Sequence, residues 1–332
     1  MTLQHDLPDP NAIYALYMPG FKPHVVRVAL LLDIFTPLAK GPLDAGAVAR
    51  ACSLNPDGTL ALLNYLVAVD LLRLDHDRYE LTATAAAFLV QDEPAYAGDW
   101  ILAETDPRFW EQVLAAVRTG ERAQLSFPRA QDAWLESYRP ERRELSLAMW
   151  RAAGIETHGG EPLALLDLAC GCGVKSMVLA RSRAGVQVTC LDQSSVLEVA
   201  RELAARLGVA SRVSFEAADI HAVDLPQEAY DAVLLGQITD YLTSAQNINL
   251  FSRVRSSLKS SGVLVIDVPM SSHQPSQGAS LVTLLAWVLS GGRAHSFEDY
   301  QAWLVEAGLA QVQRIGDTWI AARIAPGAAY PG

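Results

Sequence analysis

Cysteine is scarce: Cys52, Cys170, Cys172 and Cys190 are the only four in 332 residues, and they lack the paired spacing of a zinc site. No metal is therefore expected. Cations are also few, with 26 Lys and Arg against 37 Asp and Glu, a net charge of −11. Binding nucleic acid requires clustered cations to neutralise phosphates, so this balance argues against nucleic acid as a partner. Long apolar runs are missing too. The stretch from Val25 to Leu32 is interrupted by Arg27 and closed by Asp33, far short of the ~18 residues that suggest a membrane span. The start carries His5 and Asp6 in place of a basic and apolar leader, the pattern expected of a cytoplasmic chain.

What the chain does contain is a strand-turn-helix signature. Leu165-Leu166-Asp167-Leu168 leads into Ala169-Cys170-Gly171-Cys172-Gly173, and a helical stretch from Val174 to Arg183 follows. Glycines let a backbone approach a ligand, and a helix N-terminus offers free N–H groups. A second apolar run, Val188-Thr189-Cys190-Leu191, ends in Asp192, where a carboxylate can accept hydrogen bonds from ribose hydroxyls. Three ligands compete for such a turn. A dinucleotide site places a third glycine where Ser176 stands, and Asp167 would repel its diphosphate. A phosphate-binding loop needs glycine before the lysine, yet Val174 precedes Lys175. S-adenosylmethionine has no phosphate and carries cationic groups that acids favour.

The chain's length suggests two domains. Near the start, Pro23 opens a helix with Val25, Val28, Ala29, Leu32 and Phe35 at helical spacing. Asp44 caps a helix through Ala51, and Asp57 caps another containing Leu60, Leu63, Leu66, Val67 and Leu71. Two short strands then flank Asp75-His76-Asp77-Arg78, which completes a winged helix. Its recognition-position helix, Gly58 to Asp70, carries no Lys or Arg, so a protein partner suits it better than DNA. From Asp99 to about Gly154 the chain reads as helical and rich in large apolar groups, among them Trp100, Phe109, Trp110, Trp134, Leu135 and Trp150. These suit a helical core, a dimer surface or an apolar substrate pocket.

Strands and helices then alternate. A helix capped by Ser195 follows Asp192; a third strand ends in Ala218-Asp219-Ile220, and a fourth in Gly236-Gln237-Ile238-Thr239-Asp240-Tyr241. A helix from Ser244 to Lys259 leads through Ser260-Ser261-Gly262 into Val263 to Asp267, and a hairpin about Gly316-Asp317 closes the pattern.

From about Ala12 to Ile324 this arrangement resembles the winged-helix small-molecule O-methyltransferases of the class I S-adenosylmethionine-dependent family. The resemblance rests on Asp167-x-Ala169-x-Gly171-x-Gly173, Asp192-x-x-x-Val196, Ala218-Asp219-Ile220 and Asp231-Ala232-Val233-Leu234-Leu235. The later segments Gly291-Gly292-Arg293-Ala294-His295-Ser296 and Leu304-x-x-Ala307-Gly308-Leu309 extend it. It implies an α/β fold, a mostly parallel Rossmann-like sheet closed by an antiparallel hairpin, behind an N-terminal winged-helix domain. By the resemblance, residues 1–98 form a dimerisation domain, and 99–332 a helical connector plus the cofactor-binding domain. A homodimer and a small hydroxyl acceptor, aromatic or polyketide-like, are implied with S-adenosylmethionine as cofactor. Asp167, Ala169, Gly171, Gly173, Asp192, Asp219, Ile220 and Gln237 would bind that cofactor, Asp219 taking the adenine amine and Ile220 packing on the ring.

The catalytic half of the family pattern is altered. Asp240 stands where a general-base histidine is usual, and Ala294 where a glutamate steadies it; the acid at the end of the fifth strand is kept as Asp267. The lysine or asparagine sometimes found near the cofactor carboxylate falls at Gly236 or Gln237. Asp240 and His295 are thus the candidate bases, with Asp267 beside them as a catalytic candidate. Imidazole is suited to neutral pH, whereas a carboxylate needs its pKa raised by burial. The alternative is a relative that binds the cofactor but has lost O-methyl transfer.

Overall fold

The computed structural model describes residues 9, 11–91, 93, 95–123, 140–271 and 277–324. Trp134, Leu135 and the tail from Ala325 lie outside them, as does the side chain of Trp100. The chain divides into two compact units, 1–109 and 110–332.

In the first unit, helices Phe21–Leu31, Phe35–Leu38, Ala45–Ala51 and Pro56–Ala68 precede a two-stranded wing, β1 (Leu72–Asp75) and β2 (Arg78–Leu81). Its core gathers Ala29, Ile34, Phe35, Val48, Leu63, Leu66, Leu72 and Tyr79. Asp44 caps its helix by accepting from Ala47 N–H at 2.7 Å. Two sequence expectations are corrected here. The helix expected from Pro23 runs Phe21–Leu31 and buries Val26, Ala29 and Leu30, leaving Val28 46% exposed and placing Leu32 and Phe35 beyond its end. A second apolar face had blurred the period. The cap of Pro56–Ala68 is Asn55, which accepts from Gly58 N–H at 3.0 Å, and Asp57 sits inside the first turn. Proline suits the first helical position, where its missing N–H costs nothing, so Pro56 starts the helix and the cap falls at Asn55, two residues before Asp57.

The second unit is built on a seven-stranded sheet ordered β5-β4-β3-β6-β7-β9-β8. The strands are β3 (Leu163–Leu168), β4 (Val186–Asp192), β5 (Val213–Ala217), β6 (Tyr230–Gly236), β7 (Leu258–Asp267), β8 (Leu309–Ile315) and β9 (Trp319–Ile324). The first five run parallel; β9 inserts antiparallel between β7 and β8. Both faces are covered, so residues alternate between two cores: Leu165, Val188, Leu234 and Val265 on one side, Leu166, Leu168, Leu235 and Ile266 on the other. This is why β3 and β6 read as continuous apolar runs rather than as an alternating pattern.

Helix Ser194–Arg206 is preceded by Gln193 with no side-chain cap, so Ser195 is not the cap expected. Helix Ser244–Ser257 opens with a Thr243–Gln246 capping box and ends before Lys259. Strand β7 then begins at Leu258 and crosses Ser260-Ser261-Gly262 with a bulge opposite Tyr230–Ala232. That segment had read as a loop because Ser-Ser-Gly is also turn chemistry. At Gly262 a Cβ would lie 2.9 Å from the Lys259 carbonyl oxygen and 3.1 Å from that of Tyr230, which explains the glycine.

The chain passes from β3 outward to β5, then returns to β6 on the other side of β3. The crevice at the carboxyl ends of strands beside such a reversal is where ligands bind in open α/β sheets.

Candidate functional site

At the end of β3 the backbone turns through Ala169 (φ +58°), Gly171 (φ +56°) and Gly173 (φ +69°), then enters helix Val174–Ser182. A Cβ on Gly173 would fall 2.8 Å from Met177 Cε and 3.2 Å from Cys190 Sγ, and its left-handed φ would strain any other residue there. At Gly171 a Cβ would meet nothing within 4 Å, so that face of the turn is open. Ala169 holds a left-handed conformation where glycine would be free of strain.

Asp167 is buried beneath the turn, and its Oδ2 accepts from Ser176 Oγ at 2.5 Å. Burial, opposed by the Ser176 bond, lifts its carboxyl to about 7. Asp192 closes the turn from β4: Oδ2 accepts from Gly171 N–H at 2.8 Å and Oδ1 from Gln193 N–H at 2.7 Å. Asp219 follows β5, exposed, with Oδ1 accepting from His221 N–H at 2.9 Å and half-buried Ile220 beside it. Gln237 is exposed at the end of β6, with φ +54°, and its N–H donates to the Asp267 carbonyl at 2.7 Å. Asp267 is joined to the turn helix by Lys175, Nζ to Oδ2 2.7 Å. In the sequence Ser176 stands where a dinucleotide site would place glycine, and Lys175 belongs to an incomplete phosphate-loop pattern. Their signal, a cation and a hydroxyl directly after the glycines, gains meaning only when β7 folds beside β6.

A second cluster lies beyond β6. In the short turn Thr239–Tyr241, Thr239 and Asp240 are completely buried and Tyr241 is half-buried. Thr239 Oγ1 and the Tyr300 hydroxyl share a hydrogen bond of 2.8 Å, and Asn247 Nδ2 donates to the Thr239 carbonyl at 2.9 Å. Gly292 lies directly on this turn: a Cβ there would fall 1.9 Å from the Asp240 carbonyl oxygen and 2.7 Å from Tyr241 Cα. His295 is buried, with its ring edge-on to Trp303 at 4.6 Å and to Tyr300 at 6.0 Å. Burial, reinforced by the Arg293 charge, pushes its pKa below the ordinary value of 6.5. Burial, reinforced by the Asp240 charge, raises that of the Tyr300 hydroxyl.

The first cluster fits S-adenosylmethionine. It offers carboxylates at the ends of successive strands and an open glycine turn between them. A polyphosphate would meet Asp167, Asp192, Asp219 and Asp267 with Lys175 already paired. No group of three His, Cys, Asp or Glu residues that could hold a metal occurs among the described residues. No described helix is long and apolar enough to cross a membrane.

Comparison with known proteins agrees. Residues 17–91 match a family model described as an O-methyltransferase dimerisation domain, and 161–308 one described as a methyltransferase domain. The chain is 27% identical over 306 residues to 3-hydroxy-5-methyl-1-naphthoate 3-O-methyltransferase of Streptomyces sahachiroi, covering 89% of this chain and 88% of that protein. It is 27% identical over 328 residues to the tetracenomycin polyketide synthesis 8-O-methyl transferase TcmO of Streptomyces glaucescens, covering 94% and 95%. The fold matches human N-acetylserotonin methyltransferase in complex with S-adenosylmethionine, with TM-score 0.75, 19% identity and coverage of 97% and 99%. The chain belongs to the class I S-adenosylmethionine-dependent methyltransferases that carry an O-methyltransferase dimerisation domain.

Proposed function

We propose that this enzyme methylates a hydroxyl on a small aromatic or polyketide-like acceptor in the cytoplasm, acting as a homodimer. The observation that carries this reading is the pairing of two clusters on successive loops. The cofactor group about Asp192 lies at the ends of β3 to β5, and the turn Thr239–Tyr241, with Thr239 and Asp240 buried, follows β6. The relatives named above act on compounds of this class.

S-adenosylmethionine supplies a methyl group on a sulfonium, so its departing group is a neutral thioether. Asp192 holds the ribose hydroxyls, Asp219 the adenine amine, and Ile220 one face of the ring. Ala169, Gly171 and Gly173 shape the turn, Asp167 braces it through Ser176, and Gln237 borders the cofactor from β6. The protein's main work is alignment, which can lower a barrier by roughly 7–11 kcal/mol at best. A base adds about 10²–10⁴-fold for a neutral hydroxyl. Asp240 is the favoured proton acceptor, because its turn is held from three sides, by Tyr300, Asn247 and Gly292. His295, enclosed by Trp303 and Tyr300, is the second candidate.

Dimerisation is supported by the first unit's exposed apolar groups. Helix Asn11–Tyr17 buries none of its side chains, and Ile13, Leu16 and Phe21 are 66%, 76% and 50% exposed. Residues 1–98 then act as the dimerisation domain and 99–332 as connector and catalytic domain. The test is product formation from a labelled methyl donor with phenols, hydroxynaphthoates, polyketides and amines. Methylated phenolic product supports the reading. Cofactor binding without transfer to any acceptor would favour the non-methylating alternative.

A further inference from the structure

The Lys175–Asp267 ion pair joins an acid that the family pattern includes to a lysine that the pattern leaves without a role. Lys175 springs from the first turn of the helix after the glycines, and Asp267 ends β7 two strands away. Their side chains are 25% and 10% exposed, so the pair is largely dry yet open on one side. Both prongs stand on pinned backbone. Trp150 Nε1 donates to the Lys175 carbonyl at 3.0 Å, and Gln237 N–H to the Asp267 carbonyl at 2.7 Å. Between them lies Gly236, where a Cβ would come 3.7 Å from Lys175 Nζ.

Building on the assignment of the cofactor, we propose that this pair seats the amino-acid end of S-adenosylmethionine, Lys175 taking its α-carboxylate and Asp267 its α-ammonium. The pair is net neutral, and so is the zwitterion it would receive. Laid antiparallel, each ion faces an opposite charge on the other partner, and no buried charge is left uncompensated. A lone lysine here would also set a positive field against the sulfonium; Asp267 cancels it. The cofactor would then run across the strand ends, from Asp219 beyond β5 to Asp267 on β7. Its sulfur would lie over the glycine turn, beside the loop that leads to Asp240. A plain structural clasp between helix and strand is the competing reading. It predicts loss of stability without ligand selectivity.

Calorimetry on the full-length enzyme separates them. The probes are S-adenosylhomocysteine, which retains the amino-acid end, and 5′-methylthioadenosine, which lacks it. Lys175→Met and Asp267→Asn should each weaken S-adenosylhomocysteine by about ten- to a hundredfold. Both should leave 5′-methylthioadenosine within about threefold, which also shows that the variants are folded. Lys175→Arg, which keeps the charge, should retain most of the affinity. Equal weakening of both probes, or of neither, would overturn the proposal. A wild-type chain that bound neither probe nor S-adenosylmethionine would overturn the cofactor assignment beneath it.

Discussion

Replacing Asp192 by alanine should separate two roles of one carboxylate. In the free protein Oδ2 accepts from Gly171 N–H at 2.8 Å, fastening the open side of the glycine turn to the end of β4. Hydrogen bonds to charged groups contribute about 1.5–3 kcal/mol, and a half-buried site falls at the lower end. Loss of that bond should destabilise the fold by about 1–2 kcal/mol, or roughly 2–8 °C in Tm at about 2–4 °C per kcal/mol for a domain of this size. The ribose bonds are lost as well, so the affinity for S-adenosylmethionine should fall by at least about 1.5 kcal/mol, tenfold or more in Kd. Asp192→Asn provides the control. Its amide oxygen can still accept from Gly171 N–H while the bond from Gln193 N–H is lost, so stability should fall less than in the alanine variant while affinity drops with the lost charge. Scanning fluorimetry reads the first effect and isothermal titration calorimetry the second. Wild-type affinity in Asp192→Ala would refute the assignment, whatever happened to Tm.

Asp240→Asn should cut turnover by about 10²-fold while leaving cofactor affinity unchanged; if His295→Ala does so instead, the acid limb of the rate profile should lie below pH 6.5, since burial depresses that imidazole. Gly292→Ala forces a Cβ to within 1.9 Å of the Asp240 carbonyl oxygen, so overpacking should cost about 1–3 kcal/mol and raise the acceptor KM more than the cofactor Kd; an unshifted melting curve would contradict that packing. Burial lifts the Asp167 carboxyl to about 7, above an unfolded value near ~3.9. The folded state therefore favours the protonated acid. Stability from this group is full below about pH 4, declines as pH rises through about 7 by at most about 4 kcal/mol, and is level beyond. Asp167→Asn, which keeps an acceptor for Ser176, should remove that decline, and parallel urea-unfolding profiles at pH 5 and 8 would refute it.

Much of this protein was legible in one dimension because its signals are local. Strand β3, the glycine turn and the following helix are contiguous, and each glycine answers a constraint within a few residues, as Gly173 does to Met177. The alternation of strands and helices, the acids ending β4 and β5, and the closing hairpin about Gly316-Asp317 follow equally from short-range pattern. Three kinds of feature required the tertiary structure. Helix caps shifted by two residues, because Asn55 and Gln193 compete with nearby Asp57 and Ser195 and only backbone geometry decides between them. Which face of Phe21–Leu31 is inward depended on what packs against it, and Val28 turned outward. The partners of Asp240 and Lys175 come from segments tens of residues away, Gly292 and Tyr300 for one and Asp267 for the other. A charge on a sequence has no partner until the sheet order places two strand ends side by side, which is why the glycine turn could be read from the chain and the Lys175–Asp267 pair could not.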